Sequence, residues 1–275
     1  LVTFLEVITM ATLKKTSGKP LTDEEIEIQE SENLINNLTF SDSDSEGEVY
    51  ELLAGYVDEN GVTHKTFTLR EMTGRDEEAI NRADIKTNGG KVITTLLTKC
   101  VTSIGTLTPK SVGKENWGKI IQSLYVGDRD YMLIKLRKLS IGDEVELQHT
   151  CPKCNSKIST IVDLDEIEVI PFQGTRVIHF ELPKGYKDKK GNVHRTGTFR
   201  LTNGLDQEIL IPVAIKNTAK ANTLLLTRLC RFDDGYPIDE DLIGDLTIKD
   251  RDYLNKLLID NRFGVDLSTE VTCES

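Results

Sequence analysis

Two cysteines two residues apart are the residues of this sequence whose types and spacing best suit chemistry. Cys151 and Cys154 lie in the stretch CPKC, between two strand-like runs at 143–150 and 157–164. Cysteine thiolates bind zinc, and C-P-x-C is typical of zinc ribbons, where such a pair supplies half of a tetrahedral site. A redox role would require a thioredoxin-like strand–helix–strand context, which the flanking runs do not provide. The motif therefore predicts half of a structural metal site.

The sequence contains one arrangement twice, and this repeat supplies a partner for the cysteine pair. Residues 51–80 align with residues 181–210 at a spacing of 130, with shared Gly-Tyr, Asp, Gly and His positions. Further along the chain the spacing becomes 122, and residues 127–151 align with residues 249–273. Because so many residues coincide in one register, the pattern predicts a tandem duplication with its two copies in a pseudo-twofold arrangement.

The repeat also predicts how the metal site is completed. Cys151 aligns with Cys273, whereas the counterpart of Cys154 would be the residue after Ser275. We therefore expect the protein to continue past Ser275, and Cys151, Cys154 and Cys273 to be ligands of a structural zinc that ties the copies together. The alternative is a hairpin that holds free thiols without metal. His149 could replace one ligand, although an exposed strand histidine explains this residue better.

The elements that would position these cysteines follow the same order in both copies. Each copy begins with two strands around a turn, continues with helices, and ends with a strand that leads to cysteine, which predicts an α+β fold. We divide the chain into an N-terminal arm (1–47), a first repeat (48–172) and a second repeat (173–275). Two aspartates at the start of the DRDY helices, Asp128 and Asp250, are expected to be helix N-caps.

Composition and motifs exclude several classes of function. The chain has 34 Lys and Arg against 45 Asp and Glu, a formal net charge of −11, which opposes a nucleic-acid binder. No apolar run approaches the ~20 residues that span a bilayer, so we expect no membrane contact. Nucleotide-binding, serine-hydrolase and zinc-protease motifs are absent from the sequence, so we do not expect an enzyme.

Cys100 and Cys230, in leucine-rich stretches, are expected to be buried structural thiols.

The N-terminal arm is strongly acidic. Residues 22–48 hold ten acidic residues, and no basic residue occurs between Lys19 and Lys65. Such a segment is either a solvated linker or an arm that orders against a basic neighbouring subunit. The second interpretation uses four apolar anchors: Leu34, Ile35, Leu38 and Phe40.

An ordered series of motifs resembles a known family. LREMTGRDEEAI, LLTKC and GDRDYMLIKLRKLSIGDEVELQHTCPKC together resemble the baseplate-hub assembly proteins of contractile-tailed bacteriophages and related injection systems. The resemblance covers residues 66–164 and continues in weakened form over 196–273. It implies a tail or baseplate protein, made in the host cytoplasm and located in the virion tail, which assembles with other tail or baseplate subunits.

Three functions follow from these observations as alternatives. The first is a structural component of the hub region of the baseplate that binds neighbouring tail proteins. The second is a baseplate-hub assembly chaperone that is not retained in the particle. The third is a zinc-ribbon protein that binds nucleic acid, which the acidic balance of the chain opposes.

Overall fold

The computed structural model describes residues 47–150, 154 and 157–266 of the 275-residue chain. Its strands are β1 (Glu48–Val57), β2 (Thr63–Leu69), β3 (Val101–Ile104), β4 (Glu144–Thr150), β5 (Lys157–Asp163), β6 (Val169–Ile170), β7 (Val177–Lys187), β8 (Val193–Arg200), β9 (Cys230–Phe232) and β10 (Gly264–Val265). Its helices are α1 (Gly74–Ile80), α2 (Ala83–Lys86), α3 (Gly89–Cys100), α4 (Pro109–Val112), α5 (Lys114–Ser123), α6 (Val126–Ile141), α7 (Gly204–Lys216), α8 (Thr218–Leu229), α9 (Glu240–Asp245) and α10 (Ile248–Asp260). None of these helices is long and apolar enough to cross a membrane.

The strands form small antiparallel sheets that stand beside the helices. One sheet has the order β1-β2-β3 and another the order β7-β8-β9, while β4 pairs with β5 and β6 pairs with β10. This mixture of helices and antiparallel sheets confirms the predicted α+β class. We call the described residues up to 172 the first unit and those from 173 the second unit.

The two three-stranded sheets share an irregularity in their first strand. The pairing of β1 with β2 shifts register between Glu51 and Tyr56, and the pairing of β7 with β8 shifts between Glu181 and Tyr186. Such a bulge leaves backbone N–H groups without a partner on the neighbouring strand. These groups therefore need acceptors from another part of the fold.

The aspartates of the two DRDY motifs supply those acceptors. One carboxylate oxygen of Asp128 accepts the N–H groups of Leu53 at 2.6 Å and Ala54 at 3.0 Å. Asp250 accepts the N–H of Lys184 at 2.7 Å in the second unit. Both aspartates are fully buried. Each therefore fastens a long helix to the bulge of the first strand of its own unit.

The prediction that these aspartates are N-caps is wrong. The N-cap of α6 is Tyr125 and that of α10 is Thr247, so each aspartate stands at the third helical position. In α10 the cap and the aspartate are linked, since the Thr247 hydroxyl donates to the Asp250 carboxylate at 2.6 Å. The DRDY motifs predicted the starts of the two helices to within a few residues. The carboxylates, however, bind the free N–H groups of the bulged strands and do not cap the helices.

The turns that follow β1 and β7 also carry matching contacts. Asp58 lies 3.1 Å from His64, and Asp188 lies 3.6 Å from His194. Each aspartate also accepts backbone N–H groups of its own turn. These contacts are equivalent in the two units. The tandem duplication, its pseudo-twofold arrangement and the domain boundaries nevertheless remain predictions.

The apolar side chains of the described residues form two clusters, one mainly from each unit. The first surrounds Trp117, which is fully buried and donates its indole N–H to the carbonyl of Thr98 at 3.2 Å. The second is built around three phenylalanines, Phe180, Phe199 and Phe232. Cys100 and Cys230 are buried, one in each cluster, and burial raises the pKa of each thiol to about 12. The prediction that both are buried thiols is confirmed.

Candidate protein interface

Of the three predicted metal ligands, one lies in the part of the chain that the structure describes. Cys154 is exposed, in the connection between β4 and β5. Cys151 and Cys273 lie outside the residues that the structure describes. Within residues 47–150, 154 and 157–266, no group of three or more His, Cys, Asp or Glu side chains could hold a metal ion. Zinc at the three cysteines therefore stays a prediction.

A buried arginine forms the centre of the joint between the two units. Arg129, on α6 of the first unit, is fully buried and donates from Nε to the Gln207 side chain of the second unit at 2.9 Å. Its Nη1 donates to the carbonyl of Ile121 at 2.7 Å, and Nη2 donates to the Thr94 hydroxyl at 2.9 Å. A Cβ at Gly204 would lie 2.5 Å from the guanidinium carbon, so α7 must begin with glycine there. Burial lowers the pKa of Arg129 to about 10, and the acceptors of this guanidinium among the described residues are neutral groups.

The joint continues along the first turns of α7. The Glu208 carboxylate accepts hydrogen bonds from the Thr94 hydroxyl at 2.5 Å and from the Gln122 amide at 3.0 Å. The backbone carbonyl of Glu208 accepts the Asn88 amide at 2.9 Å. A Cβ at Gly90 would lie 2.5 Å from Glu208 Cα, so the α3 backbone packs directly on α7. The N-terminal half of α7 therefore belongs to the contact between the units.

The two units also exchange apolar contacts at the ends of α6 and α10. Gly264 approaches so closely that its Cβ would lie 2.7 Å from Gly127 Cα. Val265 packs against the core cluster of the first unit, whereas Tyr125 packs against that of the second. Strands β6 and β10 pair across the same boundary. The units are therefore joined by backbone, apolar and polar contacts.

The C-terminal half of α7 has a different character. Residues 209–215 read ILIPVAI, seven consecutive apolar residues, and none of them is fully buried. None belongs to either core cluster or packs against one, and Ile215 is 69% exposed. A helix that is apolar on all faces is normally buried. We call residues 209–215 the apolar surface of α7, and its apolar character makes it a candidate interaction site.

This surface is specific to the second unit. At the spacing of 130 residues its counterpart in the first unit is the segment 79–85, AINRADI, in which three polar residues replace apolar ones. The counterpart is divided between α1 and α2, and Asn81, Arg82 and Asp84 are exposed. The alignment of the two repeats contained this signal, because one segment is polar where the other is apolar. Sequence reasoning considered the match between the repeats and overlooked their difference at this position.

Comparison with known proteins identifies the family. The profile of a family described as T4 bacteriophage base plate protein matches residues 57–220, which include the part of the joint around Arg129 and Glu208 and the apolar surface of α7. No curated protein and no solved structure matches the chain. The matched region covers more than half of the sequence, and the chain therefore belongs to the T4 bacteriophage base plate protein family.

Proposed function

We propose that the protein is a structural component of the hub region of a phage baseplate, and that it binds neighbouring tail subunits during assembly. The family supports a place among the tail and baseplate proteins of the virion. The observation that carries the proposal is the apolar surface of α7, where residues 209–215 are left partly or largely exposed by the rest of the described chain. A neighbouring subunit that covered this surface would remove apolar area from water at about 25 cal/mol per Å².

The remainder of the fold supports a scaffold rather than a catalyst. The joint around Arg129 and Glu208 holds the two units in one arrangement, and its contacts fix the N-terminal half of α7. We further propose that the units arose by duplication, and that zinc held by Cys151, Cys154 and Cys273 joins their tips. The equivalent contacts of Asp128 and Asp250 with their own first strands support the duplication.

Exchange of residues between the units tests the role of α7. Ile211→Asn and Ala214→Asp place the residues of the first unit on the second and remove apolar area from a partly exposed helix. In a phage whose own gene for this protein is inactivated, we expect the double variant to enter assembled baseplates about tenfold less than the unaltered protein. Incorporation is measured by quantitative mass spectrometry of purified baseplates.

A matched control keeps this test specific. Ile248 is 73% exposed on α10 of the same unit, so Ile248→Asn removes a similar apolar side chain from a different surface. This control should be incorporated normally, and all variants should melt within a few degrees of the unaltered protein. Normal incorporation of a stably folded α7 variant would remove the basis of the proposal.

The exposed surface of α7 also suits a second function. A baseplate-hub assembly chaperone would use the same apolar residues to hold a hub protein and would then leave the particle. Mass spectrometry of purified virions separates the two functions, because a structural component must be present in a fixed ratio to other baseplate proteins. Its absence from virions, together with binding to a hub protein before assembly, would favour the chaperone.

A further inference from the structure

A basic cleft lies in the second unit, in a protein whose net charge is −11. The cleft has a volume of about 590 Å³ and opens at the end of α8 and the loop after β9. Its lining combines cationic and apolar side chains, and includes Arg200, Arg228, Arg231, Phe232, Tyr236 and Ile238. The combination of guanidinium groups with aromatic and aliphatic walls suits an anionic ligand that also carries apolar side chains.

Only one carboxylate is paired with these arginines among the described residues. Asp206 is fully buried and accepts both terminal nitrogens of Arg200, at 2.6 and 3.0 Å, and Nε of Arg228 at 2.8 Å. Burial favours the neutral form of Asp206, but the hydrogen bonds from Arg200 and the other donors hold its pKa below the usual range. Among the described residues, Arg231 donates to backbone carbonyls. The loop between Phe232 and Gly235 also carries Asp233 and Asp234, which are exposed, and Asp234 pairs with His194. Within the described part of the chain, Arg231 and the terminal nitrogens of Arg228 therefore have no carboxylate partner.

The first unit shows that two of these arginines are additions to the shared scaffold. Its equivalent ion pair joins Arg70 to Asp76, at 2.7 and 2.9 Å, and needs no further cation. The positions equivalent to Arg228 and Arg231, at the spacing of 130 residues, are Thr98 and Val101. The first unit thus forms its ion pair with one arginine, whereas the second unit adds two guanidinium groups beside the cleft, which makes an anionic ligand favourable there.

We propose that this cleft binds an acidic segment of the same chain, residues 23–30. The segment reads DEEIEIQE, in which acidic residues alternate with Ile26 and Ile28. Its carboxylates would pair with the terminal nitrogens of Arg228 and with Arg231, while its isoleucines would lie against Tyr236.

The segment and the cleft belong to one chain, which favours contact within one molecule. The segment is joined to β1 by residues 31–47, which fully extended would span about 56–61 Å. At random-coil dimensions a chain of this length has an end-to-end distance of roughly 23 Å and gives a local concentration near millimolar, far above that of a second copy in dilute solution. The cleft would thus be occupied by its own chain until a more acidic or larger partner displaced the segment.

Photo-cross-linking of the full chain tests the proposal. With p-benzoylphenylalanine in place of Tyr236, irradiation should join the cleft to residues 16–65, which trypsin releases as one peptide because it does not cleave the Lys19–Pro20 bond and no other lysine or arginine lies between Lys15 and Lys65. The cross-linked product should keep the mass of a single chain. Products of twice that mass, or cross-links that avoid residues 16–65, would overturn the proposal.

Matched variants separate a specific site from accidental proximity. In the cross-linking chain, Arg228→Thr with Arg231→Val installs the residues of the first unit and should lower the yield by about fivefold, whereas Lys at both positions should retain most of it. If the first of these variants melts early, Glu24→Gln, Glu25→Gln and Glu27→Gln change only the segment and should lower the yield equally. An unchanged yield in the folded charge variants would contradict binding through the arginines.

Discussion

The side-chain amide of Asn88 donates a hydrogen bond to the backbone carbonyl of Glu208, 2.9 Å away, and so connects the start of α3 to the middle of α7. Within a helix that carbonyl would normally accept the N–H of the residue four positions later. Here that residue is Pro212, which has no N–H. The proline thus leaves an acceptor in the second unit that a donor from the first unit satisfies.

Replacement of Asn88 by aspartate should therefore destabilise the protein. The Asn88 oxygen caps α3 by accepting from Gly90 and Lys91, and aspartate would cap equally well. The new carboxylate would instead face the Glu208 carbonyl without a proton to donate, and we expect a loss of about 1–3 kcal/mol in the free energy of unfolding at pH 7. Chemical denaturation measures this loss.

Two further variants isolate the cause. Asn217 caps α8 through the N–H of Lys220, and its amide nitrogen has no partner among the described residues, so Asn217→Asp should be nearly neutral. In a Pro212→Ala background the helix regains an N–H for the Glu208 carbonyl, so Asn88→Asp should cost about 1 kcal/mol less. Equal costs in both backgrounds would show that the carbonyl is not the group affected.

Arg129 should be the most sensitive position of the joint. Arg129→Ala leaves the Gln207 side chain, the Ile121 carbonyl and the Thr94 hydroxyl without their donor in a buried site, and we expect a loss of about 3 kcal/mol or more. Arg129→Lys should recover only part of this loss, because one ammonium cannot reproduce the fork of a guanidinium. Thermal and chemical denaturation of the variants measure both losses; a change under 1 kcal/mol for alanine would contradict this account.

Asp128 should give the protein a distinctive dependence on pH. Burial raises the pKa of this carboxyl to about 6, outweighing the N–H groups of Ala54 and Leu53 and the charge of Arg176, which favour the ionised form. The other carboxylate oxygen is buried and has no hydrogen-bond partner in the part of the chain that the structure describes. Because the folded pKa exceeds the unfolded value, the folded state holds more protons between about pH 4 and 6, and stability from this group is lost as pH rises through that range.

Comparison with Asp128→Asn isolates this contribution. The free energy of unfolding of the unaltered protein, minus that of the variant, should fall by roughly 2–3 kcal/mol between pH 4 and pH 7. Asp76 and Asp206 act in the opposite sense, since their pKa values are lowered in the folded state. Both residues are present in the unaltered protein and in the variant, so their contributions cancel in the difference between the two free energies of unfolding. A difference that stays constant across this range would mean that folding does not raise the pKa of Asp128.

The predicted zinc can be tested through its ligands. Cys151→Ser should lower both the zinc content, measured by inductively coupled plasma mass spectrometry, and the melting temperature of the intact protein. Cys100→Ser is the matched control, because it places a hydroxyl in the first core cluster and should lower stability without changing zinc. Zinc content and melting temperature both unchanged in Cys151→Ser would end the zinc hypothesis.

The sequence predicted features that depend on local chemistry or on the comparison of the repeats. The strand pairs and the burial of Cys100 and Cys230 belong to this group. The partners of Asp128 could not be predicted, because a charged residue early in a helix gives the same local signal whether it caps that helix or binds a distant strand. The burial of Arg129 could not be predicted either, because the sequence does not distinguish a buried guanidinium from a solvated one.

The outcome for α7 shows a different limit. Alignment of the repeats implied similar helices in both units, yet the first unit has two short helices where the second has one, and the polar residues Asn81 and Arg82 stand at the break. The similarity between the repeats identified the elements that both units share. The candidate interface, the apolar surface of α7, lies where the two units differ. A search for function in a repeated sequence should therefore examine its mismatches.

The joint has a consequence for each unit taken alone. Gln207 of one unit meets Arg129 of the other deep in the protein, and the glycines at 127 and 264 bring the two backbones together without side chains between them. Each half therefore completes the interior of the other, and we expect that neither half would fold when produced alone.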